Sequence, residues 1–344
     1  MELIIRLKNN LNQDEIQIIK GFNAKITFQS AYIPLIGISL ENPAFINDIK
    51  KLPFVMTVRS PQIGEYLEGD FLTTFFFTPF VSRKALSQYN YYGWGDTRVA
   101  IIDSGVNRPS VVEHIDYTNT GHNDIFGHGS YVADIIKYFA KGANLYSAKV
   151  GNDRPDDLAV MRALEWAAIE KGVHVINLSV GFKPVSRCKG DCDMAQIING
   201  IVNSGAVVIV AAGNDGPKNN TLRCPSCASS AITVGALEDI NKVFDYSSRG
   251  PVGGSKPNIV APGRVQIDEN GFGGTSCASP VVAGSVAAVI SSVADVNLVY
   301  KALYDSANDI GLSKNIQGVG ALNVERFVEV IKNETMDSAR EGQE

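Results

Sequence analysis

The apolar and polar residues of the first sixty positions alternate in a way that predicts a small α+β unit. Strands are predicted at residues 2–8, 25–40 (two strands) and 54–60, and helices at residues 13–21 and 43–51. Alternation with a period of two is typical of half-buried strands, and this order of strand, helix, two strands, helix and strand forms a small sandwich with its own core. We therefore expect residues 1–68 to form a separate N-terminal domain.

From residue 98 onward, short apolar runs alternate with amphipathic or apolar helices. Strands are predicted within residues 98–106, 144–150, 173–180, 206–212 and 230–237, and helices at residues 131–140, 156–171, 193–204 and 276–293. Continuous apolar runs are typical of parallel strands that helices bury on both faces. The pattern predicts an α/β domain over residues 69–336, with a largely parallel central sheet and helices on both faces, and then a polar tail over residues 337–344.

Composition limits the possible partners. Hydrophobic residues make up 45% of the 344, which supports a full core, and the net charge of −5 argues against nucleic acid as a partner. No apolar run approaches the length of a membrane span, so we expect no membrane partner. We also expect a monomer. Residues 1–8 mix charged with apolar side chains and lack a small-residue cleavage site, which predicts a cytoplasmic protein, with secretion through an upstream signal as the alternative.

A glycine-led turn places Ser276 at the start of the predicted helix over residues 276–293. The unpaired N–H groups and the positive dipole end of a helix favour negative charge there, which suits a nucleophilic serine. Pro280 is compatible with the first helical turn because the N–H that it lacks has no partner within a helix. A serine at such a position is more often an ordinary N-cap, so the catalytic interpretation depends on partners elsewhere in the chain.

Two upstream segments supply candidates for those partners. Asp103 lies at the carboxyl end of a predicted parallel strand, the edge at which ligands and chemistry gather in open α/β sheets. His128 stands between Gly127 and Gly129 at the start of another predicted helix, so its imidazole is reachable. Each segment also has an ordinary interpretation, a turn for Asp-Ser-Gly and a capping or packing role for the histidine.

Taken together, the motifs resemble those of the subtilisin-like serine proteases, the subtilases. Asp103, His128 and Ser276 follow one another within Asp-Ser-Gly-Val, His-Gly-Ser-x-Val-Ala and Gly-Thr-Ser-x-Ala-x-Pro, and this order is the one known for subtilisin. A fourth motif, Ala-Ala-Gly-Asn, ends at Asn214. The resemblance implies a serine endopeptidase with these three catalytic residues, and it implies that Asn214 stabilises the oxyanion.

The resemblance also has implications for substrates and processing. Ser179, Val180 and Gly181 match the strand that pairs with the backbone of protein or peptide substrates. Phe182 follows where the family carries a small residue, which leaves the preference of the pocket open. The N-terminal domain is similar to the inhibitor-like propeptide of subtilases, with an accessory binding domain as the alternative. A propeptide implies a zymogen that cleaves itself in the linker over residues 64–70, loses about its first 65 to 75 residues, and is inhibited by the released segment.

Two features of the sequence bear on metal binding, namely a short segment at residues 141–144 and four cysteines on two loops. The predicted catalysis needs no cofactor and no metal, and residues 141–144 stand where many subtilases carry a longer calcium-binding loop, so we expect that calcium site to be absent. Cys188, Cys192, Cys224 and Cys227 lie on two loops near the predicted site and can form a structural four-thiolate zinc site, two disulfides or neither. A cytosolic location favours zinc, whereas an exported or hyperthermophile one favours disulfides.

Cys277 directly follows the candidate nucleophile. The ordinary interpretation is a small buried residue on the helix. The alternative is a thiol whose pKa is lowered by the helix N-terminus and through which mercurials inhibit the enzyme.

Overall fold

The computed structural model describes residues 1–67, 81–183, 189–267, 270–293 and 295–341 of the chain. Its strands are β1 Glu2–Leu7, β2 Ala24–Gln29, β3 Leu35–Leu40, β4 Val55–Arg59, β5 Glu65–Tyr66, β6 Arg98–Asp103, β7 Val111–Asp116, β8 Asn144–Lys149, β9 Val175–Leu178, β10 Val180–Gly181, β11 Val207–Ala211, β12 Ile232–Asp239, β13 Lys242–Val243, β14 Ile259–Pro262, β15 Arg264–Ile267 and β16 Asn270–Gly273. Its α-helices are α1 Gln13–Gly21, α2 Ile46–Lys50, α3 Lys84–Gln88, α4 His128–Phe139, α5 Asp157–Glu165, α6 Asp193–Asn203, α7 Thr275–Val289, α8 Val296–Asp305, α9 Lys314–Gln317 and α10 Val324–Glu341.

The N-terminal part of the chain forms a small antiparallel sheet with the strand order β2-β3-β1-β4. Leu3 and Ile5 of β1 pack with Ile19 of α1 and Ile49 of α2 in one buried cluster. The alternate residue Ile4 belongs instead to a core cluster of the larger domain. One face of this sheet therefore carries its own helices and the other is buried against the larger domain. The predicted order of elements is confirmed.

The larger domain is built on a sheet with the strand order β13-β12-β11-β9-β6-β8-β7, in which β14 also pairs with β12. All of these pairs are parallel except that between β12 and β13. Successive residues of a strand point to opposite faces. Val99 and Ile101 of β6 accordingly lie in one buried cluster with residues of α4, α7, α8 and α10, whereas Ala100 and Ile102 lie in another with residues of α5 and α6. The predicted fold class, a largely parallel sheet between two layers of helices, is confirmed.

Helix α7 is the central helix of this domain, because each of its residues is buried. A helix that is apolar all round is typical of such an enclosed position. The 18-residue window from Thr275 to Ser292 has a mean hydropathy of 1.4 and is long and apolar enough to cross a membrane, but 89% of it is buried inside the fold. The expectation that no apolar run approaches membrane length is therefore wrong, although a buried core helix passes the same test.

The N-terminal domain lies on α5 and α6 of the larger domain. Arg59, the last residue of β4, donates a hydrogen bond of 2.7 Å to the buried carboxylate of Asp157. Burial raises the pKa of Asp157, and the positive charge of Arg59 opposes that rise. The buried carboxylate of Glu165 accepts a hydrogen bond from Ser30 Oγ. These contacts set the direction in which residues 60–67 leave β4.

Candidate active site

Asp103 and His128 are joined by a hydrogen bond in the interior of the larger domain. Asp103 is the last residue of β6 and His128 is the first residue of α4. Asp103 Oδ1 lies 2.7 Å from His128 Nδ1, and both side chains are fully buried. Burial raises the pKa of Asp103, while the neighbouring His128 and the N–H of Ser104 oppose that rise. The carboxylate can therefore hold the imidazole in one orientation.

A second carboxylate, that of Asp124, organises the loop around this pair, and no sequence motif identified it. Asp124 Oδ1 accepts a hydrogen bond of 2.8 Å from Ser104 Oγ, and its Oδ2 accepts one of 2.8 Å from the Ser130 N–H. Ser104 Oγ in turn accepts from the Gly129 N–H at 3.0 Å. A Cβ atom on Gly129 would lie 2.0 Å from the Gly105 carbonyl oxygen. Only glycine therefore allows α4 to begin this close to β6.

Ser276 lies in the first turn of α7. Gly274 precedes this helix with a φ of 100°, a backbone conformation that favours glycine. The Ser276 side chain is buried, and its hydroxyl donates a hydrogen bond of 3.0 Å to the carbonyl oxygen of Ser179. The turn thus holds both the hydroxyl and the backbone N–H of Ser276 next to the start of β10.

Asn214 follows β11 and is positioned by Thr275. Thr275 donates to Asn214 Oδ1 from its N–H at 3.1 Å and from its hydroxyl at 2.9 Å. The Thr275 hydroxyl oxygen also accepts from the Gly213 N–H at 3.2 Å. Because the amide oxygen of Asn214 is held in this way, its NH2 group is directed away from Thr275. The contact between Thr275 and Asn214 is visible only in the fold, since the two residues belong to different motifs.

Strand β10, Val180–Gly181, pairs antiparallel with β5, Glu65–Tyr66, of the N-terminal segment. Leu67 extends this pairing by one residue. Its N–H donates to the Ser179 carbonyl oxygen at 3.2 Å, and its own carbonyl oxygen accepts from the Ser276 N–H at 3.3 Å. The residues predicted to bind a substrate backbone are therefore occupied by the chain itself.

The Tyr66 side chain connects this segment to the histidine. The ring centroids of Tyr66 and His128 are 5.1 Å apart, and the Tyr66 hydroxyl donates to the Gly151 carbonyl oxygen at 3.0 Å. Tyr66 and Leu67 are both buried. Tyr66 contacts His128, and the next residue, Leu67, contacts Ser276. The Asp–His pair and the serine therefore lie along the same short stretch of the cleft.

Three of the four candidate cross-linking cysteines lie together, and Cys188 lies outside the described residues. The sulfur atoms of Cys192, Cys224 and Cys227 are all within 4.8 Å of one another. Those of Cys192 and Cys224 are 2.6 Å apart. Two thiolates on one tetrahedral zinc ion are farther apart, at about 3.8 Å for zinc–sulfur bonds of about 2.3 Å. Cys227 is itself disulfide-bonded, whereas Cys192 and Cys224 are free thiols. A disulfide-bonded cysteine supplies no thiolate, so this arrangement does not fit a four-thiolate zinc site. The short distance between the two free thiols favours a second disulfide on oxidation.

We therefore expect these four cysteines to be oxidised in protein purified without reductant, with dissolved oxygen as the oxidant. Since the chain has five cysteines, thiol titration of the denatured protein should then find a single reactive thiol, that of Cys277. The Cys277→Ala variant should show none. Three thiols per chain would show that Cys192 and Cys224 stay reduced, as they are in the structure, and would contradict this prediction. Five thiols, with or without zinc in a metal analysis, would contradict both disulfides.

Cys277 fits the ordinary interpretation of a buried core residue. Its side chain is fully buried, and its Sγ lies 3.5 Å from the Pro262 carbonyl oxygen. Burial raises the pKa of this thiol well above its usual value. The shift is opposite to the one that a helix N-terminus alone would produce. The alternative of a lowered pKa at this position is therefore wrong, and inhibition by mercurials through Cys277 stays a prediction.

The fold and the site define a class of protein, an α/β enzyme with a buried Asp–His pair and a serine at the head of a central helix. The family model of the subtilases matches residues 95–320. Subtilisin E of Bacillus subtilis (strain 168) is 28% identical over 306 residues, covering 80% of this chain and 75% of that protein. The human membrane-bound transcription factor site-1 protease is 29% identical over 287 residues, which cover 74% of this chain and 27% of that protein. The chain belongs to the subtilase family and is a subtilisin-like serine endopeptidase.

Solved structures agree with this fold. Fervidolysin from Fervidobacterium pennivorans, a keratinolytic enzyme related to subtilisin, superposes with a TM-score of 0.71 at 19% identity, over 95% of this chain and 60% of that one. A lanthipeptide protease superposes with a TM-score of 0.63 at 22% identity, over 73% of this chain and 93% of that one. The chain therefore spans about three fifths of fervidolysin. At these identities, the likeness concerns the fold alone.

Proposed function

We propose that this endopeptidase is made as a zymogen and hydrolyses the peptide bond between Leu67 and Glu68 of its own chain. The observation that carries the proposal is the 3.3 Å hydrogen bond from the Ser276 N–H to the Leu67 carbonyl oxygen. A donor that stabilises acyl transfer has to reach the oxygen of the carbonyl group that is attacked. The pairing of β5 with β10 sets the register, which makes Leu67 the residue on the amino side of the cleaved bond.

The proposed mechanism follows from the residue types in the site. A serine hydroxyl is a weak nucleophile at neutral pH, so His128 accepts the Ser276 Oγ proton as Oγ attacks the Leu67 carbonyl carbon. The hydroxyl first exchanges its present contact with a backbone carbonyl for one with His128. Asp103 orients the ring and stabilises the imidazolium without taking the proton. His128 then protonates the amine of Glu68, the C–N bond breaks, and water hydrolyses the acyl-enzyme by the same route.

Two donors would stabilise the tetrahedral oxyanion in this mechanism. One is the backbone N–H of Ser276, which already contacts the Leu67 carbonyl oxygen. The other is the side-chain amide of Asn214, whose orientation Thr275 fixes from the opposite side. The positive dipole end of α7 favours the same negative charge. In this proposal, both donors would be oriented before the reaction begins.

We further propose that residues 1–67 remain bound as an inhibitor after cleavage. β5 and Leu67 fill the strand-binding part of the cleft, and the contact between Arg59 and Asp157 holds the domain that carries them. Protein or peptide substrates would bind in the same extended form once this segment leaves, through main-chain hydrogen bonds to β10. We also propose that the functional unit is a monomer.

The masses of two purified proteins test autoprocessing. Wild-type protein is expected to separate under denaturing conditions into residues 1–67 and a chain that begins at Glu68, because Ser276 attacks the Leu67 carbonyl. The Ser276→Ala protein is expected to keep its full length. Intact-mass measurement with N-terminal sequencing checks both, and native size-exclusion chromatography should show the two wild-type fragments in one peak.

The matched control is Ser285→Ala, which removes another buried hydroxyl from the same helix, one that donates to the Val281 carbonyl oxygen, and it should leave processing intact. Equal masses for wild-type and Ser276→Ala protein would rule out autoprocessing. A cut elsewhere in residues 64–70 that still depends on Ser276 would retain autoprocessing and overturn the assignment of Leu67.

A further inference from the structure

We propose that the processed enzyme selects substrates with an acidic residue at the third position before the cleaved bond, and that Arg223 recognises this residue. The inference rests on the proposed function, because it takes residues 64–67 as bound in the manner of a substrate. In that register, Leu67 is the first residue before the cleaved bond, Glu65 is the third and Gly64 is the fourth. Glu65 therefore occupies what we term the acidic position.

Arg223 contacts Glu65 directly. Its Nη1 lies 2.6 Å from Glu65 Oε2, and the Arg223 side chain is 6% exposed whereas that of Glu65 is 52% exposed. The cation thus belongs to the wall of the cleft, and the anion is the solvated partner. A guanidinium placed in this way suits a carboxylate that arrives with the substrate, since charge-assisted hydrogen bonds are stronger than neutral ones.

Asp215 holds Arg223 in place. Nε and Nη2 of Arg223 contact the two carboxylate oxygens of Asp215, the second pair at 2.8 Å. The hydrogen bond from Arg223 lowers the pKa of Asp215, so this carboxylate stays charged at neutral pH. The bidentate contact uses one side of the guanidinium and leaves Nη1 to face the acidic position. A donor that is already oriented loses little side-chain freedom when it binds a substrate.

Lys183 adds a second positive charge to this part of the cleft. A groove of about 290 Å³ is lined by residues 62–65 of the N-terminal segment together with Gly181, Lys183 and Arg223. Among the lining residues that the enzyme side contributes, the charged ones are Lys183 and Arg223, and both are cations. The enzyme side of the groove therefore attracts an anionic side chain.

Phe182 determines how the substrate backbone passes Arg223. A Cβ atom on Gly64 would lie 2.6 Å from two ring carbons of Phe182 and 2.9 Å from the Gly181 carbonyl oxygen. A residue other than glycine at the fourth position would have to displace backbone or a buried ring. With glycine there, the chain lies close to β10, and the next side chain reaches Arg223. Glycine followed by an acidic residue is thus the pair that this region accepts.

Internally quenched peptides with the sequence of residues 62–70 test the proposal on processed wild-type enzyme that has been separated from residues 1–67. Active enzyme is counted by titration with a serine-directed fluorophosphonate, so that rates refer to working sites. The Glu65→Gln peptide is expected to have a kcat/KM about tenfold lower than the parent peptide because it loses a charge-assisted hydrogen bond. The Glu65→Lys peptide should be cleaved more slowly still.

In the Arg223→Gln enzyme, the difference between the parent and the Glu65→Gln peptides should disappear, whereas the Arg249→Gln control should retain it. Arg249 is a suitable control because its ion-pair partner is Asp245. Such a cycle isolates the coupling between the two side chains. Equal cleavage of all three peptides by wild-type enzyme would overturn the role of Arg223 and leave the proposed function intact. Cleavage of none of them by wild-type enzyme whose sites react with the fluorophosphonate would overturn both.

If the Arg223→Gln enzyme does not fold, the wild-type rates on the three peptides still decide the question. A preference for the parent peptide supports recognition of the acidic position, and equal rates exclude it. Because the peptides change only the third residue before the cleaved bond, their comparison does not depend on the stability of any enzyme variant.

Discussion

Replacement of Asp103 by asparagine is expected to slow autoprocessing about 10⁴-fold. The 2.7 Å contact between Asp103 Oδ1 and His128 Nδ1 joins two fully buried side chains. An asparagine amide that donates to Nδ1 would leave the ring proton on Nε2, so the histidine could no longer accept the Ser276 proton. The measurement is the first-order rate at which refolded full-length chain loses residues 1–67.

Asp124→Asn is the matched control for this variant. Asp124 is also buried, but its carboxylate contacts Ser104 and Ser130 rather than the imidazole. We expect a lower melting temperature, because a buried acceptor of several hydrogen bonds is weakened, together with a much smaller loss of rate. If the two variants processed equally slowly with unchanged melting temperatures, the special role of the Asp103–His128 contact would be excluded.

Replacement of Asn214 by leucine is expected to slow the same reaction about 10²- to 10³-fold, a magnitude known from the oxyanion asparagine of subtilisin itself. Leucine approximates the shape of the side chain and removes its donor. Processing should remain measurable, because the Ser276 N–H still reaches the Leu67 carbonyl oxygen. This residual rate would distinguish the variant from Ser276→Ala, in which no nucleophile remains.

Thr275→Val provides an internal comparison for Asn214. It removes the hydroxyl that donates to Asn214 Oδ1 at 2.9 Å and keeps the backbone donor. We expect a smaller loss of the autoprocessing rate than in Asn214→Leu. The Asn214 amide is still present in Thr275→Val, although one hydrogen bond fewer holds it. A wild-type rate in the Asn214→Leu variant would exclude Asn214 from the oxyanion site.

Much of the fold could be predicted because its elements carry strong local patterns. β6 and α7 are continuous apolar runs, and both are buried as the pattern indicates. β7 was missed because it is an edge strand of the sheet, and most of its residues are only partly buried. An edge strand of this kind lacks both a continuous apolar run and a clean alternation.

Local patterns were less informative about chemistry. The start of α7 predicted, as one alternative, a thiol with a lowered pKa at Cys277, whereas burial raises its pKa. The four remaining cysteines could be assigned to neighbouring loops, but not to a chemical state. In both cases the deciding quantity is the environment in three dimensions, namely burial for Cys277 and the sulfur–sulfur distances for Cys192 and Cys224.

The sequence by itself determined the family and fold class, and it named Asp103, His128, Asn214 and Ser276 as the candidate catalytic set, because short motifs and periodic patterns carry that information locally. Only the tertiary structure decided which carbonyl group of the chain lies at Ser276 and which side chain meets Glu65. Arg223 and Glu65 are 158 positions apart in sequence. Their contact exists because the N-terminal domain docks on α5 and α6 and directs residues 65–67 along β10. Long-range docking of this kind leaves no periodic signal in the sequence.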